Sequence, residues 1–247
     1  MSEKVISAHK FVEYAFASPQ KRVTIIESAL LPPTYILDTK YPDIERATGN
    51  FLLSGCTDQN RLVALDQAYQ KLDAYSDHHE QRLLNAMDAI SHITNMHWPL
   101  VSTSDVEGLN GLPTDMEIGG IIVRVKPSVI LKRNQSGFKH PFIGVAKIYF
   151  GKTQPLRSAE NAERGVLFAT LLHWFTEEAL DFIGSSDPKM CFVADIFDEQ
   201  THFAASRYKQ RRKQLEALAL EIADRWEHIS DRLQSKEQKR DQFAGKK

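Results

Sequence analysis

The stretch from Met116 to Phe182 constrains the fold most, because apolar segments rich in β-branched residues are followed there by one long amphipathic helix. Its centre is the run PFIGVAKIYFGKTQPL, in which Lys147 is a single charge inside a strand-like sequence. A strand that is apolar on both sides of one lysine is typical of a central strand covered on both faces. An unpaired buried ammonium group is costly, so Lys147 has to reach water, a partner or a cleft that binds phosphate.

The chain before this strand and the chain after it differ in their pattern of apolar residues. Apolar residues recur at three- and four-residue spacing through the first hundred residues, which predicts five amphipathic helices, the first of them including Val5. Between Trp98 and Pro113 the periodicity disappears and Ser, Thr, Gly, Asn and Pro dominate. The predicted organisation is a helical region (1–97), a linker (98–115), a mixed sheet with flanking helices (116–233) and a flexible tail (234–247).

The second half predicts a sheet covered by helices. Ile118–Val125, residues 129–131 and residues 142–150 have strand character, and we expect these three strands to form a meander. A helix with a broad apolar face begins near Ser158 and has to pack against the sheet. A further strand over Met190–Phe197 and a long final helix complete the pattern. The fold class is therefore α+β.

Composition limits the classes of partner. The chain has 247 residues and a formal net charge of -1, so any polyanion has to bind to a local basic patch. No apolar run approaches the roughly 18 residues that a membrane span needs. Cys56 and Cys191 are far apart in the sequence, which favours reduced thiols and argues against a zinc site. We expect a cytoplasmic protein with no membrane partner and no small-molecule cofactor.

The order helix (80–94), strand, strand, strand, helix, strand resembles the core of the PD-(D/E)XK nucleases, in particular the RecB-like exonucleases. The resemblance covers roughly residues 80–197 and implies a restriction-endonuclease-like core. In that family a GxxD motif on one strand is followed by an acidic-x-Lys tripeptide on the next. Here Gly119-Gly120-Ile121-Ile122-Val123 has Val123 in place of the aspartate, and Val145-Ala146-Lys147 has Val145 in place of the acid.

The resemblance implies that the metal site has been lost, because the missing acids hold Mg²⁺ in the active family and a valine cannot ligate it. The first hypothesis is therefore a catalytically degenerate protein that binds nucleic acid or assembles a complex, in DNA metabolism or phage defence. A second is an active Mg²⁺-dependent nuclease in which Asp115 and Glu117 act with Lys147. Glu80, Glu160 and Glu163 begin helices that would reach the same edge, although first-turn charges explain the last two better. A third is a scaffold that binds a partner protein through its N-terminal helices.

Two groups of basic residues are candidate contacts to DNA or RNA. Arg124 and Lys126 alternate on one face of a strand. The rim is extended by Lys152, Arg157 and the hairpin residues Lys132, Arg133, Lys139 and His140. The second group opens the last helix and contains Arg207, Lys209, Arg211, Arg212 and Lys213. Cations at a helix start oppose the helix dipole, which indicates an anionic partner. We expect contacts to phosphate from Arg124, Lys126, Lys152, Arg207, Arg211 and Arg212.

Overall fold

The computed structural model describes residues 3–30, 41–151 and 158–244. The described α-helices are α1 (Ala8–Phe16), α2 (Pro19–Leu30), α3 (Pro42–Leu53), α4 (Asn60–Gln70), α5 (Asp77–Asn95), α6 (Ser158–Ala179) and α7 (Tyr208–Ala244). The described strands are β1 (Val5–Ser7), β2 (Asp105–Glu107), β3 (Asp115–Ile118), β4 (Ile121–Arg124), β5 (Val129–Arg133), β6 (Phe142–Tyr149), β7 (Ser185–Ser186), β8 (Phe192–Asp195) and β9 (Gln200–Phe203). The protein is α+β, with helices flanking a mixed sheet, as the sequence predicts.

The larger sheet has the strand order β2-β5-β6-β8-β9, and the short strand β7 pairs with the start of β6. Strands β6 and β8 run parallel and are connected through α6, which covers one face of the sheet. Their parallel direction places the carboxyl ends of both strands at the same edge. A smaller sheet has the order β1-β4-β3.

Strand β6 lies between two apolar cores. Ile143, Val145 and Tyr149 belong to the core that α1, α2, α6, α7 and the smaller sheet share. Ala146 and Ile148 belong to the core that α3 and α5 form on the opposite face. The alternation of side chains along a strand explains this division, since consecutive residues point to opposite faces. The N-terminal helices therefore pack on both sides of the larger sheet, and the predicted division of the chain at 98–115 stays a prediction.

The region predicted as one strand over Ile118–Val125 is a hairpin. Strands β3 and β4 pair in antiparallel register around Gly119 and Gly120, which have φ angles of 55° and 81°. Two consecutive residues with positive φ are what a two-residue hairpin turn needs, and glycine adopts them without steric cost. The predicted meander was wrong at this point, because β4 pairs with β1 and β3 whereas β5 pairs with β2 and β6.

Two further boundaries differ from the sequence prediction. Val5 lies in β1, which pairs in parallel with β4, and the first helix begins after it at Ala8. The last helix continues to Ala244 and includes most of the segment predicted as a flexible tail. In the described part of the chain, no helix is long and apolar enough to cross a membrane.

Gly144 in β6 allows the 3₁₀ turn over Pro188–Met190 to approach the strand closely. A Cβ atom on Gly144 would overlap the backbone carbonyl group of Met190. We expect Gly144→Ala to lower the free energy of unfolding by about 2 kcal/mol or more in urea denaturation, because overpacking against backbone is relieved only by moving a strand. Gly49→Ala is the control, since nothing lies near the added methyl group. It should raise stability by about 0.5–1 kcal/mol, and an equal cost at both positions would contradict the close approach.

Candidate functional site

Lys147 forms an ion pair with α3, the helix that packs against the core containing Ala146 and Ile148. Its Nζ atom donates a hydrogen bond of 2.6 Å to Oε1 of Glu45, which lies in the first turn of α3. The Lys147 side chain is 21% exposed, so the ammonium group is close to the surface while its strand is buried. Of the two predicted roles, this geometry matches a lysine that reaches out of a covered strand to a partner.

The two motif positions next to Lys147 are apolar core. Val123 in β4 and Val145 in β6 are both fully buried and belong to the same hydrophobic cluster. Their surroundings are packed hydrocarbon, in which a carboxylate would have to be desolvated. Both valines are therefore part of the same apolar core.

Asp115 is held by Arg124 on the neighbouring strand. Its two carboxylate oxygens accept hydrogen bonds of 3.0 Å from Nε and Nη2 of Arg124. The Arg124 guanidinium holds the pKa of Asp115 below its usual value. Glu117 lies two residues further along β3 and is exposed. Both acids are in the smaller sheet, whereas Lys147 is in the larger one. Among the described residues, no group of three or more His, Cys, Asp or Glu side chains is arranged to hold a metal ion.

Two of the predicted basic contacts attach α7 to α6. Arg211 forms a bidentate ion pair with Glu163. Arg212 forms an ion pair with Glu177, and its guanidinium group lies 5.4 Å from the centroid of the Trp174 ring. These arginines neutralise acids of the same protein, which explains why α7 tolerates cations at its start. Their predicted role as phosphate contacts stays a prediction, and the structure gives each of them an internal partner.

The other basic residues of this group are accessible. Arg207, Lys209 and Lys213 are exposed, and none of the three forms an ion pair within the part of the chain that the structure describes. Lys126 is also exposed, whereas Arg124 is occupied by Asp115. Lys152 lies outside the described residues. The start of α7 therefore carries three positive charges directed at solvent.

A small cavity lies at the carboxyl ends of β6 and β8, on the face of the sheet that α1 and α6 cover. It has space for about one water molecule. Its polar lining comes from five elements and includes His9, Tyr149, Asn161, Arg164, Asp195 and His202. None of these residues is predicted as functional from the sequence.

Hydrogen bonds connect the cavity residues into a network. His9 Nε2 and the Tyr149 hydroxyl group are 2.9 Å apart. Arg164 donates a hydrogen bond of 3.2 Å to Oδ1 of Asn161, and its guanidinium carbon lies 5.6 Å from the centroid of the Tyr149 ring. Oδ1 of Asp195 accepts a bond of 3.4 Å from the backbone N–H of Asp198. The network thus links α1 and α6 to the ends of two central strands.

Burial shifts the proton affinities in this cavity. Burial, together with the nearby charge of Asp198, raises the pKa of Asp195 to about 6. Burial also raises the pKa of Tyr149 to about 12 and lowers the pKa of His202. Desolvation of its ring lowers the pKa of His9, and nearby positive charges, among them that of Lys147, add to this effect.

This arrangement favours holding a proton over binding a large ligand, since the cavity is narrow and its carboxyl group titrates near neutral pH. Asp195 is 5% exposed at the end of an otherwise apolar strand. An acid that ends a strand after a crossover helix is the signal that the sequence contains, because parallel strands end at one edge. His9 and Arg164 reach the cavity only through long-range packing, so the sequence contains no comparable signal for their place in its lining.

A comparison with models of protein families and with curated proteins found no match to this chain.

Asp195→Asn tests the cost of the buried acid. The native pKa of about 6 lies about two units above the ordinary value, so wild-type stability should fall by up to about 3 kcal/mol as pH rises from about 4 to about 6. An asparagine keeps an acceptor for the N–H of Asp198 and carries no charge. The variant should lack this fall and be the more stable protein above pH 6, as measured by urea denaturation at pH 4–8.

All other titratable groups are the same in both proteins, so the difference between the two curves isolates Asp195. Asp73→Asn at an exposed position is the control and should leave the curve unchanged. A variant that is less stable than wild type at pH 8 would contradict the account, because the carboxylate would then be stabilised by its surroundings.

Proposed function

We propose that this protein binds nucleic acid through the start of α7 and does not cleave it through a metal site. The observation that carries the proposal is the difference between the two sets of cations on that helix. Arg211 and Arg212 are bound to acids of α6, whereas Arg207, Lys209 and Lys213 are exposed and lack an acidic partner among the described residues. Three unneutralised charges within two helical turns attract phosphate groups and oppose the helix dipole unless an anion is bound.

The proposal that metal catalysis is absent is supported by the packing. The motif valines are buried, Asp115 is bound to Arg124, and Lys147 is bound to Glu45. Membership of the PD-(D/E)XK nuclease superfamily is part of the proposal. The order β6-α6-β8 fits it, whereas five described strands, β2–β6, lie between α5 and α6 where the family order has three. The setting in DNA metabolism or phage defence stays a prediction.

We also propose a cytoplasmic location, which the free thiols of Cys56 and Cys191 favour, because a reducing compartment keeps such thiols unpaired.

A role in complex assembly is the second candidate, and exposed apolar side chains on the N-terminal helices favour it. These are Leu53, Val63, Leu72, Tyr75 and Leu84, with exposed fractions from 43% to 80%. All five lie in α3–α5 or the connections between them. An accumulation of exposed apolar residues in one part of a chain is typical of a protein-binding surface.

The triple variant Arg207→Gln/Lys209→Gln/Lys213→Gln tests the nucleic-acid proposal. Fluorescence anisotropy with labelled single- and double-stranded DNA and RNA, at several salt concentrations from 50 to 200 mM, measures the affinity and its salt dependence. We expect wild-type binding to weaken with salt and the slope of log K against log salt to become shallower by about 2–3 in the variant, because each lost phosphate contact releases fewer counterions.

Arg46→Gln/Arg61→Gln/Lys71→Gln is the matched control, since it removes the same charge from exposed positions on α3 and α4. This control should keep the wild-type affinity and slope. Equal losses in the two triple variants would show a general charge effect and contradict a site on α7. Absence of wild-type binding at 50 mM salt would exclude the nucleic-acid function and leave complex assembly.

A further inference from the structure

The end of the larger sheet at which β6 starts lies opposite the cavity and carries exposed aromatic and basic side chains. It is built where the β5–β6 hairpin meets the segment after α6. Phe142 at the start of β6 lies opposite Ser185 of β7, and the backbone N–H of Ser185 donates a hydrogen bond of 2.9 Å to the carbonyl oxygen of Pro141. The hairpin and the 182–189 segment are thus held side by side. We call Phe138, Lys139, His140, Phe182 and Lys189 the basic–aromatic edge.

Two phenylalanines of this edge are exposed. Phe138 is 58% exposed and Phe182 is 67% exposed. The Phe138 ring is fixed in an edge-to-face contact with Phe142, at 5.0 Å between centroids. Phe182 lies three residues before Ser185, which pairs with Phe142, so the chain length keeps both rings near the same strand end. Both rings are therefore accessible to a ligand on neighbouring segments of the chain.

The same edge carries two exposed lysines and an exposed histidine. Lys139, His140 and Lys189 are exposed, and none of these three forms an ion pair among the residues described. Asp187, which lies between the two segments, is neutralised by Arg133 at 3.1 Å. The remaining acid close in sequence, Asp181, is exposed at the end of α6. Arg212 links this region to α7 through Glu177, so the edge and the exposed cations of α7 extend from the same helix, α6.

Aromatic rings that alternate with lysines suit unpaired bases. Each base has a π-face that stacks on a phenyl ring, and the phosphates of the same strand contact the neighbouring ammonium groups. Duplex bases are already stacked on one another and present only their edges in the grooves. We propose that the basic–aromatic edge binds single-stranded nucleic acid by stacking bases on Phe138 and Phe182. This inference rests on the nucleic-acid function proposed above and specifies its substrate.

Phe138→Ala/Phe182→Ala tests the inference in the full-length chain. Anisotropy with a labelled single-stranded oligonucleotide and with its duplex is measured at 50 mM salt. We expect the single-strand affinity to fall by about ten-fold or more for each lost ring, with duplex affinity unchanged. The salt slope should stay at its wild-type value, because no cation has been removed.

Two comparisons make the result specific. Tyr75→Ala removes an aromatic residue that is 80% exposed on the helical part of the protein, and it should leave binding unchanged. Phe138→Tyr/Phe182→Tyr keeps both ring faces and should retain most of the single-strand affinity. Both side chains are largely exposed, so circular dichroism and the urea midpoint should show wild-type folding in all variants.

The possible outcomes separate this inference from the proposed function. Wild-type binding that Phe138→Ala/Phe182→Ala does not weaken would overturn the inference while the α7 proposal stands, and would leave the two rings to a protein partner. Equal loss of single-strand and duplex affinity would also overturn it. Failure of the wild type to bind any nucleic acid would remove the proposed function and the inference together.

Discussion

Strand β6 has an apolar layer on each of its faces, and the single charge within it has to be neutralised where the strand approaches the surface. Val145 and Tyr149 belong to one core and Ala146 and Ile148 to the other. The ion pair between Lys147 and Glu45 solves the problem by joining β6 to α3, which packs on the opposite face. An ion pair at the surface contributes little stability, but removing one partner of a half-buried pair leaves a charge that is difficult to solvate. The pair therefore adds a polar contact to the apolar packing of α3 on the central strand.

The same constraint explains the neighbouring motif positions. Val123 and Val145 are fully buried in the same apolar core, where an acid would need a cation to offset its desolvation. The acids that do occur nearby are committed to other partners, as Asp115 is to Arg124. A buried acid appears instead at the strand ends, where Asp195 titrates near neutral pH in a network with α1 and α6. The candidate cavity and the proposed basic–aromatic edge thus lie at the two ends of β6, and the middle of the strand is apolar core.

Local patterns in the sequence predicted much of the fold. The 22-residue helix α6, the central position of β6 and the strand β8 follow from long apolar periodicity and from a strand without polar alternation. The hairpin at Gly119-Gly120 was missed because the two glycines were interpreted within a motif, although consecutive glycines between apolar runs are a hairpin signal. The three-residue strand β1 was missed because its partner β4 lies more than a hundred residues away.

Side-chain partners in the candidate sites depend on tertiary structure and could not be predicted. The cations at the start of α7 look equivalent in the sequence, yet Arg211 and Arg212 face acids of α6 and Lys209 faces solvent. Exposure of Phe138 and Phe182 likewise depends on how the hairpin meets the segment after α6. Sequence composition identified the basic segments, and only the packing of α6 distinguishes structural cations from accessible ones.

The central claim is that the residues around Lys147, among them Val123 and Val145, do not support metal-dependent cleavage of nucleic acid. An assay of strand cleavage tests this claim most directly. Labelled single- and double-stranded DNA and RNA are incubated with the wild type and with Lys147→Ala in the presence of Mg²⁺ or Mn²⁺, and the product lengths are measured by gel electrophoresis. The account predicts that every substrate stays at full length with both proteins. Metal-dependent cleavage by the wild type that Lys147→Ala abolishes would contradict it.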